Sequence, residues 1–127
     1  MTDLPAVYQH ANPRARVAHT CAECDGTIEI GHRYHEHSGL WDGRWQRYRL
    51  CSVCNDVFEM ANAWSDFPDE GPWFTGLFEW LMDDIYATLE RLRDEDTECR
   101  RHCLQQVRRI RNDRRRRRQS RAVALPA

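Results

Sequence analysis

Apolar residues change their spacing twice along this chain. From Thr27 to Leu50, "TIEIGHRYHEHSGLWDGRWQRYRL" is rich in β-branched and aromatic residues and is broken by Gly31, Gly39 and Asp42-Gly43. Asp-Gly is a strong two-residue hairpin signal, since both residues tolerate the positive φ of a type I′ turn. A hairpin closed there sets Trp41 opposite Arg44 and Glu36 opposite Arg49, a favourable cross-strand pair. A bulge at Gly39 would shift that register. From Ser52 to Trp64 the period becomes helical, with Val53, Val57, Met60 and Trp64 on one face. "SDFPDEGP" interrupts it, and Pro72 suits the first position of a further helix.

Beyond Pro72, Phe74, Leu77, Phe78, Leu81, Ile85, Leu89, Leu92, Cys99, Cys103, Val107 and Ile110 step by three and four. That is the stripe of an amphipathic helix. "RDEDTE", residues 93–98, weakens it, so residues 72–113 form either one helix or two that meet at a turn capped by Asp96 or Thr97. No Gly or Pro lies between Leu77 and Leu125, which favours a continuous or kinked helix. A stripe this long needs a partner surface, either the rest of the chain or a second copy in a coiled-coil homodimer. Trp73, Phe74, Phe78 and Trp80 spread around the helix and are expected to pack against the preceding module. The fold class expected is small α+β. Residues 1–19 are an irregular lead-in, 20–66 a cysteine-bearing module, 72–113 the amphipathic helical region, and 114–127 an Arg-rich tail disordered at its end.

Composition narrows this further. The chain has 127 residues and 41% apolar content, with a mean hydropathy of −0.82. Such a supply favours an elongated or metal-stapled shape over a large core. No apolar run approaches the roughly 18 residues that span a bilayer. "MTDLPAVYQHANPRARVAHT" has no apolar signal-peptide core. The expected location is a reducing cytoplasm, with no membrane partner. There, six cysteines point to metal or free thiols before disulfides.

The formal net charge of −1 hides an asymmetry. Residues 105–121 carry nine Arg against Asp113, a charge of +8, while the remaining residues carry −9. All 19 cations are arginine, for which a GC-rich genome is the simpler cause and the fit of arginine to phosphate the sharper one. Arg108, Arg109, Arg111 and Arg114, Arg115, Arg116, Arg117 and Arg118 could lie along a polyanion and bind it in a salt-dependent, sequence-independent way. Arg44, Arg47 and Arg49 on the hairpin could add to that surface. The competing readings are an acidic protein partner, contact of the tail with "DFPDE" or "RDEDTE" of the same chain, or a solvated tail with no specific role.

Cys21, Cys24, Cys51 and Cys54 have the spacing C-x2-C-x26-C-x2-C. Four thiolates complete the tetrahedral shell of one structural zinc ion, with no position left for substrate. Gly26 suits a left-handed position in the first knuckle. Cys51 and Cys54 fall where strand gives way to helix, so amide donors face the thiolates. Knuckle, hairpin and two ligands from a first helical turn is the order of a treble-clef zinc finger. A redox CxxC would need only one pair, and an iron site takes the same four sulfurs.

The segment "CAECDGTIEIGHRYHEHSGLWDGRWQRYRLCSVCNDV" resembles a group of small zinc-finger proteins encoded by bacteriophages and prophages. Their pattern matches Cys21, Cys24, Ile28, Gly31, Tyr34, Ser38, Gly39, Trp41, Asp42, Gly43, Tyr48, Cys51 and Cys54. The likeness covers residues 19–57. It implies a phage origin and a treble-clef zinc site, and no particular activity.

The HNH endonucleases share a knuckle-hairpin-helix frame and supply the enzyme alternative. They use a strand histidine as base and a helix histidine as metal ligand. Here His35 and His37 share a strand face, while Asn55 stands directly after the last cysteine and no helical histidine follows before His102. A catalytic metal therefore has too few local ligands, and His32, His35 and His37 are expected to be solvated strand residues. Cys99, His102 and Cys103 share a helix face. They could bind a second metal, but with no evident fourth ligand the cysteines are expected to fill the apolar stripe. The function expected is therefore binding: first of nucleic acid, as an accessory or regulatory protein, and alternatively of a host enzyme or defence complex through the long helix.

Overall fold

The computed structural model describes residues 7–64, 71–83, 90 and 97–124, with side chains as far as Ser120. Strands β4 (Tyr34–Trp41) and β5 (Arg44–Cys51) pair antiparallel in the expected register, Trp41 facing Arg44 and Glu36 facing Arg49. They close through Asp42 and Gly43 at φ 50° and 75°, the two positive angles of a type I′ turn. The pairing runs through Gly39 without a shift. A Cβ at Gly39 would run into the Val7 carbonyl, so glycine here permits close approach of a neighbouring strand. The ion pair of Glu36 is diagonal: Arg47 Nε lies 2.6 Å from its carboxylate.

That neighbouring strand is β1 (Val7–Ala11), inside the segment expected to be irregular. It pairs antiparallel with β4 and gives the sheet order β1-β4-β5. All five of its side chains are exposed, so no hydrophobic alternation announces it. The open edge of β4 supplies the backbone partners instead. Strand alternation sets Tyr8, His10, His35, His37 and Tyr48 on one face, and Gln9, Glu36, Arg47 and Arg49 on the other. A small ribbon of β2 (His19–Thr20) and β3 (Thr27–Ile28) brackets the first cysteine pair.

Helix α1 (Ser52–Trp64) follows β5 directly and buries Cys54, Asn55, Val57, Phe58 and Ala61. Val53, Met60 and Trp64 pack at its margins. Helix α2 is short, Leu77–Met82. Pro72 precedes it by several residues, and Thr75 at φ 73° makes a turn before the helix starts. Helix α3 runs Thr97–Ala124.

The continuous helix expected over 72–113 is not formed. The rings of Phe78 and His102 stand 5.7 Å apart, where one helix would separate them by about 36 Å at its usual rise. Two helices lying side by side bury Leu77, Phe78 and Leu81 together with Cys99, Cys103 and Val107 in one core. That packing, with α1, supplies the partner surface the stripe required. Ile85, Leu89 and Leu92 lie outside the described residues. The expected boundary at residue 114 is also absent. Arginine is a good helix former and no Gly or Pro intervenes before Pro126, so α3 continues through the arginines.

The core is small but closed. Leu50, Val57, Leu77 and Leu81 are at most 1% exposed, and each such side chain contributes about 1.5–3 kcal/mol. Phe74 stacks on Tyr48 and on Phe58, both at 4.8 Å between ring centroids. This tucks the α1–α2 connection against the hairpin. Phe74 and Phe78 thus pack as expected, while Trp73 is exposed. Among the described residues no helix is long and apolar enough to cross a membrane.

Candidate metal centre and its surroundings

The four sulfurs of Cys21, Cys24, Cys51 and Cys54 all lie within 4.8 Å of one another. The Cys24 and Cys51 sulfurs are 4.0 Å apart, close to the roughly 3.8 Å between ligands around one tetrahedral ion at about 2.3 Å. None of the six cysteines is in a disulfide. Donor type, number and spacing therefore fit a single metal ion. Cys51 ends β5 and Cys54 sits in the first turn of α1, while the β2–β3 ribbon presents the other two.

The knuckle differs from expectation in one detail. The left-handed residue is Asp25, at φ 60°, and not Gly26. Gly26 is needed for space: its amide donates to the Cys24 sulfur at 3.4 Å, and a Cβ there would lie 3.2 Å from that sulfur. The Cys51 amide likewise donates to Cys21 Sγ at 3.4 Å.

Without a cation these thiols share protons unequally. The Cys21 side chain, then those of Cys51 and Cys54, hold Cys24 well below the ordinary thiol range. The Cys21 and Cys24 sulfurs push Cys51 and Cys54 above it. Four adjacent thiolates repel one another, and a dication is what allows all four to ionise.

Two further residues tie the centre to the helices. Glu23, between the first two cysteines, is buried and accepts the amides of Thr75 at 2.7 Å and Leu77 at 3.1 Å. Burial raises its pKa to about 7 against the pull of those two amides. His102 Nε2 lies 3.0 Å from Cys54 Sγ, so its N–H is placed to donate to the sulfur. With His102 committed there, Cys99 and Cys103 stay in the core, and burial pushes Cys103 up to about 12. That is the behaviour of an inert apolar thiol.

The strand histidines are not uniformly solvated. His32 is exposed and lies outside the strand, His35 is half-buried, and His37 is 5% exposed. His37 Nε2 donates to Asn55 Oδ1 at 2.7 Å, and Tyr8 donates its hydroxyl to Nδ1. His10 stacks on His37 at 4.3 Å and contacts His35. Burial lowers the pKa of both His35 and His37. Tyr8 and His10 were beyond sequence reasoning because their strand carries no hydrophobic period.

The arginines divide into four groups. Arg44 stands on the opposite hairpin face from Arg47 and Arg49, and Arg47 is engaged by Glu36. Arg109 meets Asp25 at 3.2 Å, beside the knuckle, and the two candidate acidic docks lie mostly outside the described residues. Arg111, Arg114, Arg115 and Arg118 share one face of α3 and, with Met82, line a cleft of about 430 Å³. Among the described residues none of these four has a carboxylate partner. Arg108, Arg116 and Arg117 are exposed.

Comparison of the chain with family models, curated proteins and solved structures finds no match in any of them.

Proposed function

We propose that this is a zinc-stabilised nucleic-acid-binding protein, an accessory or regulatory factor of phage origin. The observation that carries the reading is the quartet Arg111, Arg114, Arg115 and Arg118 along one face of α3, with no carboxylate partner among the described residues. Four guanidinium groups on one helix face match a row of phosphates. The cysteine centre is the treble-clef zinc site of this reading. Its four thiolates suit zinc, and a closed sulfur shell leaves the metal a structural role. His102 on Cys54 and Arg109 on Asp25 then root the arginine helix in the metal module. The test is fluorescence anisotropy with a random-sequence duplex. Binding is expected to weaken steeply with salt and to disappear when residues 108–121 are deleted. Binding unchanged by that deletion refutes the reading.

A nuclease is the second reading, favoured by one observation. His10 joins His35 and His37 on the sheet face that meets Asn55 of α1. This partly fills the ligand deficit that counts against catalysis in the sequence. Plasmid cleavage with Mg²⁺ or Mn²⁺, lost in His35→Ala or His37→Ala, would support it. No cleavage by the intact chain would dismiss it.

A further inference from the structure

The histidine face contains two nested layers. The inner layer is a pair: His10 Nε2 and His35 Nδ1 stand 2.9 Å apart, one N–H pointing at the other ring's lone pair. Two nitrogens bound to one ion at about 2.1 Å in adjacent positions stand about 3 Å apart. A divalent ion could therefore take the place of the shared proton with little movement of the strands. β1 and β4 fix this spacing, since His10 sits directly opposite His37 and one step from His35 along the same face.

The outer layer is a chain of hydrogen bonds that orients its neighbours. Tyr8 donates to His37, His37 donates to Asn55, and Asn55 Nδ2 donates to Glu59 Oε1 at 3.3 Å. His37, so fixed, supports the His10 ring by parallel stacking, with 10° between the planes. The Glu59 charge acts on His35, as does that of Asp56. This is how metal-binding side chains are usually held: each ligand is steered by a group behind it. His10 and Glu59 are exposed, so an ion has a path in.

We propose that His10 Nε2, His35 Nδ1 and the Glu59 carboxylate form a second, solvent-open site for a divalent transition-metal ion, with water in the remaining positions. Two imidazoles and one carboxylate select the zinc, nickel and cobalt class over magnesium or calcium. Burial keeps the His35 ring neutral at neutral pH, so its lone pair is available. Among the described residues the four cysteines are the only group of three or more candidate ligands within 4.8 Å of one another. Glu59 must therefore swing from Asn55 toward the ion. His37 and Asn55 are positioning residues in this site, and the cysteine centre plays no part in it. The site is independent of the nucleic-acid reading and shares His10 and His35 with the nuclease reading.

The experiment is a zinc titration of the reduced, metal-free full chain by calorimetry. The wild type is expected to take one tight equivalent at the cysteines and a second, weaker one. His10→Ala/His35→Ala removes the second and keeps the first, which also reports that the variant folds. Glu59→Gln weakens the second by about 10-fold or more. A cobalt(II) titration of the chain already loaded with one equivalent of zinc, followed by NMR, supplies an independent readout, with paramagnetic broadening of the His10 and His35 ring signals in the wild type. A total uptake of one equivalent overturns the proposal, as does a second equivalent that survives the double substitution. If the double variant fails to take its first ion, the wild-type NMR decides: His10 and His35 signals untouched by cobalt overturn the proposal.

Discussion

His102 Nε2 stands 3.0 Å from Cys54 Sγ, so a residue of α3 touches the candidate metal centre that α1 helps to build. A donor behind a thiolate ligand steadies both its charge and its direction. His102→Ala should lower zinc affinity by about 10- to 100-fold, measured by competition with a chromogenic chelator. His102→Gln, which keeps a donor, should recover part of the loss. Equal affinity in wild type and His102→Ala would mean that the contact does not reach the metal.

Glu23 is the second strut between the metal module and the helices. It sits between two cysteines and accepts amides from the turn that starts α2. One of those amides belongs to Thr75, held in the left-handed region at φ 73°, a costly place for a β-branched residue. Glu23→Ala leaves the buried Leu77 amide without an acceptor, while the part-buried Thr75 amide can turn to water. The expected loss is about 1–3 kcal/mol, set mainly by the Leu77 amide, read from urea unfolding of the zinc-loaded chain. A change below about 0.5 kcal/mol would show that water replaces the carboxylate at no cost.

The buried histidines predict a dependence on pH. Burial lowers the pKa of His37 and His35 in the folded chain, below the roughly 6.5 of an unfolded histidine. Their contribution to stability is therefore complete above pH about 6.5 and declines as pH falls below it, because the unfolded chain then binds more protons. Each such histidine steepens the decline by up to about 1.4 kcal/mol per pH unit. The measurement is unfolding free energy of zinc-loaded protein between neutral and mildly acid pH. His37→Phe should flatten the slope relative to wild type, and identical slopes would remove His37 from the account.

The arginines of α3 should act by face. Replacing Arg111, Arg114, Arg115 and Arg118 together with Gln should lower the salt dependence of duplex binding by about 3 to 4 in log–log slope, near 0.9 per phosphate contact. Arg116→Gln/Arg117→Gln, on other sides of the helix, should change it less. Equal effects per arginine from the two sets would indicate a diffuse charge effect and no preferred face.

Legibility in the sequence followed the strength of local signals. Asp42-Gly43 fixed the hairpin and its register to the residue, because the turn type dictates which positions face each other. The cysteine spacing located the four sulfurs for the same kind of reason, since a knuckle and a strand-to-helix step are both local. Two features depended on partners far along the chain and were not legible. β1 has no pattern of its own and forms because β4 offers an edge. The stripe over 72–113 kept a helical period throughout, yet period alone cannot say whether a helix runs on or folds back on itself. Phe78 beside His102 settles that. Asn55, noted in the sequence only as a missing histidine, is fully inside the fold and holds His37.

The claim on which the rest depends is that Cys21, Cys24, Cys51 and Cys54 hold a metal ion that organises the fold. The most direct test is near-UV circular dichroism of the reduced chain, before and after a strong chelator and then with zinc restored. Trp41, Tyr48 and Phe74 pack against one another, so their signal reports tertiary order. The account predicts that chelation abolishes the signal, that one equivalent of zinc restores it, and that Cys54→Ser cannot be restored. An unchanged spectrum and an unchanged unfolding transition in metal-free protein with all four thiols free would contradict it.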